Sequence, residues 1–172
     1  LAGHETTATA LAWAFERILS HPHVYRTLRD EIEGAGGESA SPEKLAALPY
    51  LDATIKEVLR LRPVVPVVAR RLKQPCTLGG YDLPAGTAVG ACIYLAHRNP
   101  DIYPEPDAFR PERFLGVTPD PVQWLPFGGG IRRCIGATFA TYELKVVLGT
   151  LLANCEFELA QKAPARTERR AI

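Results

Sequence analysis

One cysteine of the chain lies in a glycine- and arginine-rich stretch, Phe127-Gly128-Gly129-Gly130-Ile131-Arg132-Arg133-Cys134-Ile135-Gly136. A metal-binding thiolate must stay deprotonated, which nearby positive charge, backbone N–H donors and a helix N-terminus all favour. Arg132 and Arg133 supply the charge, the glycines allow close backbone approach, and a helical pattern starts just beyond Gly136. A lone cysteine is more often a small buried hydrophobe than a ligand. This setting reverses that expectation for Cys134.

The spacing of these residues resembles the haem-binding loop of cytochrome P450 enzymes, Phe-x-x-Gly-x-Arg-x-Cys-x-Gly. It is matched at Phe127, Gly130, Arg132, Cys134 and Gly136. The resemblance implies that the cofactor is haem b (iron protoporphyrin IX) and that Cys134 is the axial thiolate of its iron. It also implies that Arg132 pairs with a haem propionate and that Phe127 packs beside the sulfur.

A second pattern is Glu57-Val58-Leu59-Arg60, which places a carboxylate and a guanidinium three apart on one helix face. Taken alone, the pair is best interpreted as an exposed ion pair worth roughly a few tenths of a kcal/mol. Beside the cysteine loop it resembles the family's Glu-x-x-Arg pair, and Pro111-Glu112-Arg113-Phe114 resembles the meander whose arginine completes a triad. The resemblance implies a structural role for Glu57, Arg60 and Arg113, in which planar bidentate pairing locks the meander.

The first residues, Ala2-Gly3-His4-Glu5-Thr6-Thr7, resemble the oxygen-activation segment of the family's distal helix. Taken alone, six small and polar residues carry no functional signal. The resemblance assigns Glu5 and Thr6 to catalytic proton delivery through water. It also implies that Gly3 leaves room over the haem for dioxygen. His4 occupies the variable position and is given no ligand role.

Arg70 lies at a position that commonly binds the second haem propionate in the family. Arg71 is the alternative, and a solvated surface pair is the simpler interpretation. The valines of residues 64–68 would line an apolar substrate cavity if the resemblance holds, although a buried strand explains them equally well. The segment Ala96-His97-Arg98-Asn99-Pro100 also matches a family pattern. That pattern would place His97 near the haem edge, although no role is assigned to it.

Helical periodicity alternates with irregular chain along the sequence. Apolar residues recur at helical spacing in residues 2–19, 24–32, 51–61 and 137–152. The last of these segments has one apolar stripe, formed by Ala137, Ala140, Leu144, Val147 and Leu151. Ser41-Pro42 predicts a helix start, and β-branched runs at 64–68 and 88–94 predict short strands. Residues 99–130 are too rich in proline for regular structure, but their aromatic residues predict an ordered, packed meander.

The predicted fold class is therefore mainly α with small β-sheets (α+β), as in the C-terminal part of the cytochrome P450 fold, truncated at both ends. Residues 1–172 are expected to form one partial domain. In chain order it would contain the end of the distal oxygen-binding helix, the Glu-x-x-Arg helix, a β-region, the meander, the haem-thiolate loop and the following helix.

Composition bounds the compartment and the partners. The 47% of hydrophobic residues suffices for a core, and 20 basic against 19 acidic residues give no argument for nucleic-acid binding. The 4 dispersed cysteines indicate a reducing compartment. Abundant arginine and alanine suggest a bacterial source, so we expect a cytoplasmic protein. An N-terminal membrane anchor stays open, because the chain starts within a helical pattern and contains no methionine.

The resemblance implies a haem monooxygenase that inserts one atom of O2 into a small apolar organic substrate. Electrons would come from NAD(P)H through a ferredoxin, flavodoxin or reductase. A haem-thiolate isomerase or dehydratase is the alternative enzyme, and a non-catalytic haem-binding remnant is the third interpretation. Glu5 and Thr6 favour the monooxygenase. The 172 residues by themselves are expected to be inactive, because much of the haem would remain in water.

Overall fold

The computed structural model describes residues 2–161. Its helices are α1 (Ala2–Leu19), α2 (Pro22–Gly34), α3 (Pro42–Ala46), α4 (Pro49–Leu61), α5 (Ile93–Ala96) and α6 (Ala137–Asn154). Its strands are β1 (Val67–Arg71), β2 (Cys76–Leu78), β3 (Tyr81–Leu83) and β4 (Ala88–Cys92). Short 3-10 turns cover Gly37–Ser39, Pro111–Phe114 and Gly130–Arg132. The predicted mainly α class with small sheets is confirmed.

The strands form two antiparallel pairs among the described residues. β1 pairs with β4 in a register that runs from Val67 opposite Cys92 to Arg71 opposite Ala88. β2 and β3 form a hairpin around Gly79 and Gly80, whose φ angles of +59° and +83° are accessible to glycine at no steric cost. The β1–β4 pair forms one wall of the candidate site.

The core lies among α1, α2, α4 and α6. Ten of the 13 residues of α4 are buried, so this helix is covered on nearly all sides. The side chains with 0% exposure that meet here are Ile18, Val24, Leu28, Leu51, Leu148 and Leu152. Burial of this apolar surface is the main source of stability, at roughly 25 cal/mol per Å².

Side chains from other elements fix the ends of these helices. The carboxylate of Glu31 accepts hydrogen bonds from the backbone N–H groups of Tyr50 (2.7 Å) and Leu51 (2.9 Å) at the start of α4. The guanidinium of Arg29 donates to the carbonyl of Leu152 near the end of α6. A negative charge at a helix N-terminus and a positive charge at a helix C-terminus both stabilise the helix through its dipole. α2 therefore holds both α4 and α6.

Three details differ from the sequence-based expectations. The strand expected at 64–68 begins at Val67 and continues to Arg71, and the one expected at 88–94 ends at Cys92. A buried strand is the wrong explanation for the valines, since Val65 and Val67 are 41% and 49% exposed. On α6, Leu151 was expected on the apolar stripe but is 36% exposed. The residues buried on α6 are instead Ala137, Leu144, Leu148, Gly149 and Leu152.

The proline-rich segment is ordered by its aromatic side chains, as expected. Tyr103, Phe109 and Phe114 are 7%, 5% and 5% exposed. The Trp124 ring lies edge-on to Phe114 and to Phe127, with centroids 6.3 and 6.2 Å apart. This packing carries the chain from the meander to the cysteine loop. Within residues 2–161, no helix combines the length and apolar character needed to cross a bilayer.

Candidate cofactor site

Glu57 and Arg60 form a buried ion pair on α4. The Nε of Arg60 donates to Oε2 of Glu57 at 2.7 Å, and its Nη2 donates to Oε1 at 2.8 Å. Both side chains are 0% exposed. The interpretation as an exposed surface pair is therefore wrong. Planar two-point pairing gives this contact a fixed geometry.

Three meander or loop carbonyls satisfy the rest of the Arg60 guanidinium. Nη1 donates to the carbonyls of His97 and Pro106, each at 2.7 Å, and Nη2 donates to that of Ala108 at 3.2 Å. The Tyr103 ring covers the guanidinium, with its centroid 5.0 Å away. One buried side chain therefore connects α4 to three positions of irregular chain.

Arg113 meets the same carboxylate from the meander side. Its Nε donates to Oε1 of Glu57 at 3.0 Å, and the backbone N–H of Arg110 donates to the same oxygen at 2.9 Å. The remaining Arg113 nitrogens donate to the carbonyls of Pro104 and Glu105. The structure thus brings together the three charged side chains that the sequence analysis grouped.

His97 was given no role from the sequence, and it is 0% exposed. The backbone N–H of Leu125 donates to its Nε2 at 2.7 Å, while its Nδ1 lies 3.0 Å from the carbonyl of Arg60. Because Nε2 accepts, the proton of a neutral ring is on Nδ1, which donates to Arg60. Burial lowers the pKa of His97 to about 4, since it penalises the charged ring.

The cysteine loop is a turn closed by its own backbone. The N–H of Cys134 donates to the carbonyl of Phe127 at 2.9 Å. Gly128 and Gly130 adopt φ angles of +70° and +65°, a left-handed conformation that favours glycine. α6 begins immediately after the N-cap residue Gly136. The Cys134 side chain is exposed.

A cavity of about 380 Å³ lies between the β1–β4 pair and this loop. Its walls are mainly apolar, with Val68 and Val89 on the sheet side and Leu125 on the loop side. Gly128 and Gly129 also line it, so the glycine run leaves space where side chains would intrude. Of the valines at 64–68, Val68 is the one that lines this cavity.

The two candidate arginines on β1 differ in placement. Arg70 lines the cavity, and its exposed guanidinium donates to the carbonyl of Ala69 at 2.8 Å. Arg71 instead donates to the carbonyl of Gly86, in the turn before β4, also at 2.8 Å. Arg132 is exposed on the cysteine loop.

Glu5 and Thr6 lie in the first turns of α1, which packs against α4 and α6. Glu5 is exposed and Thr6 is half-buried. The Thr6 hydroxyl donates to the carbonyl of Gly3 at 3.0 Å. Within residues 2–161, no three histidine, cysteine or acidic side chains are placed to hold a metal ion together. Attachment through one cysteine requires no such group.

Comparisons with known proteins agree with this architecture. The family model described as Cytochrome P450 matches residues 1–171. A Mycobacterium tuberculosis relative named as cytochrome P450 137 is 46% identical over 172 residues, which are 100% of this chain and 34% of the relative. A Mycobacterium bovis relative named as cytochrome P450 135B1 is 47% identical over 156 residues, 91% of this chain and 32% of the relative. The chain spans about a third of the length of these relatives.

The fold has a helical layer that a buried ion-pair cluster joins to the meander, ahead of a loop that carries one cysteine. The chain belongs to the cytochrome P450 family. The residues present fit the haem that this membership implies. The cavity beside the loop has mainly apolar walls, and Arg70 on its wall could bind the anionic propionate edge of a haem. The thiol of Cys134 is free and forms no disulfide.

Proposed function

We propose that the protein is a haem-dependent monooxygenase that inserts one atom of O2 into a small apolar organic substrate. Electrons come from NAD(P)H through a ferredoxin, flavodoxin or reductase. Cys134 is the proposed iron ligand, and residues 1–172 are proposed to be one part of the complete catalytic domain. When bound, haem b supplies the oxygen and electron chemistry, and the protein supplies the ligand, the proton path and the cavity.

The observation that carries this proposal is the placement of the glycine run of the cysteine loop against an apolar cavity. Gly128 and Gly129 line a space of about 380 Å³ beside Val68 and Leu125. Apolar walls with few polar groups are typical of cofactor and small-molecule sites. Such walls would suit one edge of a flat, mainly apolar ring.

The arginines have proposed binding roles. Arg70 projects from the cavity wall, where its guanidinium would bind one propionate of the haem, and Arg132 on the cysteine loop would bind the other. Phe127, Gly130 and Gly136 are proposed to shape the loop around the sulfur.

The Glu57, Arg60 and Arg113 cluster has a proposed positioning role. It holds the meander through the carbonyls of Pro106 and Ala108, and the meander leads directly into the cysteine loop. Glu5 and Thr6 are proposed to hold and pass protons near the bound oxygen. The Thr6 hydroxyl already binds the Gly3 carbonyl, which fixes its orientation within the first turns of α1.

An isotope experiment tests the reaction class. The full-length protein is loaded with haem and supplied with NAD(P)H, a ferredoxin and its reductase, 18O2 and a panel of apolar substrates. A monooxygenase places one 18O atom in the product and the other in water. Product that carries no label, or turnover of an organic peroxide without O2 consumption, would favour an isomerase or dehydratase. Haem binding without turnover of any substrate would favour a non-catalytic protein.

The arginine assignment has a matched pair of variants. Arg70→Leu removes the guanidinium at the cavity wall, and Arg71→Leu makes the same change one residue along, where the side chain binds the Gly86 carbonyl. Haem should dissociate faster from Arg70→Leu than from Arg71→Leu, measured by transfer of haem to apomyoglobin. Equal rates, or the reverse order, would contradict the role of Arg70.

A further inference from the structure

We infer that His97 is a positioning residue whose ring joins the end of α4 to the chain that leads into the cysteine loop. The inference rests on the proposed function, because its value lies in presenting Cys134 to the haem iron. His97 is not among the residues that line the cavity. It acts through Arg60 on one side and Leu125 on the other.

The ring bridges two backbone groups that lie far apart in the sequence. Nδ1 lies 3.0 Å from the carbonyl of Arg60, 37 residues earlier. Nε2 accepts from the N–H of Leu125 at 2.7 Å, 28 residues later. The backbone carbonyl of His97 also accepts from Nη1 of Arg60 at 2.7 Å. His97 is therefore held to α4 through both its ring and its backbone.

Both bridged groups need a partner. Arg60 lies in the last turn of α4, where backbone carbonyls have no N–H partner within the helix. The next carbonyl, that of Leu61, accepts from Arg98 at 2.9 Å. Leu125 lies in irregular chain and its side chain lines the cavity. An unsatisfied backbone group in this half-buried region would be costly, so the bridge stabilises one arrangement of the loop.

The surroundings keep the ring neutral, which the bridge requires. A protonated ring would present an N–H at Nε2 towards the N–H of Leu125 and lose that hydrogen bond. Burial lowers the pKa of His97 to about 4, and the charges of Arg60 and Arg98 act in the same direction. The Tyr103 ring packs edge-on to the His97 ring, with centroids 6.3 Å apart. The Glu57 carboxylate is paired with Arg60 and Arg113. Near neutral pH, Nδ1 of His97 therefore remains the donor and Nε2 remains the acceptor.

Two amide substitutions separate the ends of the bridge. The amide of His97→Asn falls near the position of Nδ1, within reach of the Arg60 carbonyl but short of Leu125. The longer His97→Gln places an amide oxygen near the position of Nε2, where it can accept from Leu125. The variants differ by one methylene group, and neither changes the backbone carbonyl that binds Arg60. The measurements are made on the full-length protein.

The first measurement is hydrogen exchange at the Leu125 amide in protein without haem, which does not depend on activity. Exchange should accelerate on the order of tenfold in His97→Asn and less in His97→Gln. The second is the fraction of haem-loaded protein with a thiolate-type CO difference spectrum during incubation. That fraction should fall fastest in His97→Asn, with rescue by His97→Gln.

The outcomes distinguish this inference from the proposed function. If wild-type protein shows no thiolate-type spectrum, the proposal that Cys134 is the iron ligand is wrong. The exchange experiment at Leu125 still tests the bridge in that case. If the Asn and Gln variants match the wild type in both measurements, the positioning role is wrong. If a variant fails to fold, the ring nitrogens of wild-type His97 decide the matter by 15N NMR. A neutral ring protonated on Nδ1 supports the bridge, and protonation on Nε2 overturns it.

Discussion

Glu57 and Arg60 face each other through two hydrogen bonds, 2.7 and 2.8 Å long, and neither side chain is exposed to solvent. Arg113 binds Oε1 of the same carboxylate at 3.0 Å. Two positive charges therefore depend on one buried negative charge. Such an arrangement adds little net attraction, because desolvation of the charges offsets much of their Coulomb energy.

Removing the shared carboxylate should be strongly destabilising. Glu57→Gln leaves the Arg60 charge buried without its counter-ion, which should lower the free energy of unfolding by roughly 3–5 kcal/mol. Chemical denaturation followed by circular dichroism measures the change. The matched control is Asp52→Asn, also on α4. The side chain of Asp52 is 28% exposed and binds Lys56 and Lys145, so its loss should cost only about 0.2–1 kcal/mol. Equal costs for the two variants would contradict the account of the cluster.

The left-handed glycine of the cysteine loop is a second test. Gly130 has a φ of +65°, so Gly130→Ala should destabilise the loop by about 1–2 kcal/mol although its added Cβ meets no atom within 4 Å. Gly34→Ala is the control, because Gly34 has the same open surroundings without a left-handed φ. Thermal denaturation of the haem-loaded protein should show a lower midpoint for Gly130→Ala alone. A normal midpoint for Gly130→Ala would show that this conformation does not contribute to stability.

His97 should make stability depend on pH below neutrality. Its pKa is about 4 in the folded protein and 6.5 ordinarily, so folding favours the neutral ring. This contribution is fully present above about pH 6.5 and is lost as the pH falls towards 4. Between about pH 7.5 and pH 5 the wild type should lose about 2 kcal/mol more than His97→Gln. The comparison cancels the carboxylates, which titrate in both proteins. A difference that stays constant with pH would mean that the ring is not held neutral.

The proton path is tested at Thr6. Thr6→Ala should leave haem bound but divert reducing equivalents to hydrogen peroxide, because the hydroxyl proposed to orient the proton supply is lost. The measurement is the ratio of product formed to NAD(P)H consumed. Thr9→Ala is the matched control, since Thr9 is exposed on the same helix. Unchanged coupling in Thr6→Ala, or equal loss in both variants, would contradict the proposed role.

Local chemistry made the main helices predictable. α1 ends at Leu19 as expected, before the proline at position 22, and Ser41 caps α3 by accepting from the N–H of Lys44 at 3.4 Å. Strand bounds were less predictable, because β1 takes its extent from pairing with β4, which carries it on to Arg71. The buried face of α6 likewise depends on several neighbouring helices, and an added Cβ at Gly149 would lie 3.2 Å from Leu45.

The candidate site was predictable only where a motif is contiguous. The cysteine loop and the Glu57–Arg60 spacing are visible in the sequence. Arg113 could be grouped with them only through the family resemblance, because 56 residues separate it from Glu57. The ring of His97 bridges backbone groups, which no side-chain pattern encodes. Its one sequence signal was the segment around it, which matches the family without indicating a role.

Cys134 is the proposed ligand of the haem iron. The most direct test is the CO difference spectrum of the reduced, haem-loaded full-length protein, compared between Cys134→Ser and a variant in which Cys76, Cys92 and Cys155 are all replaced by serine. Cys134→Ser should lose the thiolate-type spectrum, and the triple variant should keep it. A thiolate-type spectrum retained in Cys134→Ser would show that Cys134 is not the ligand.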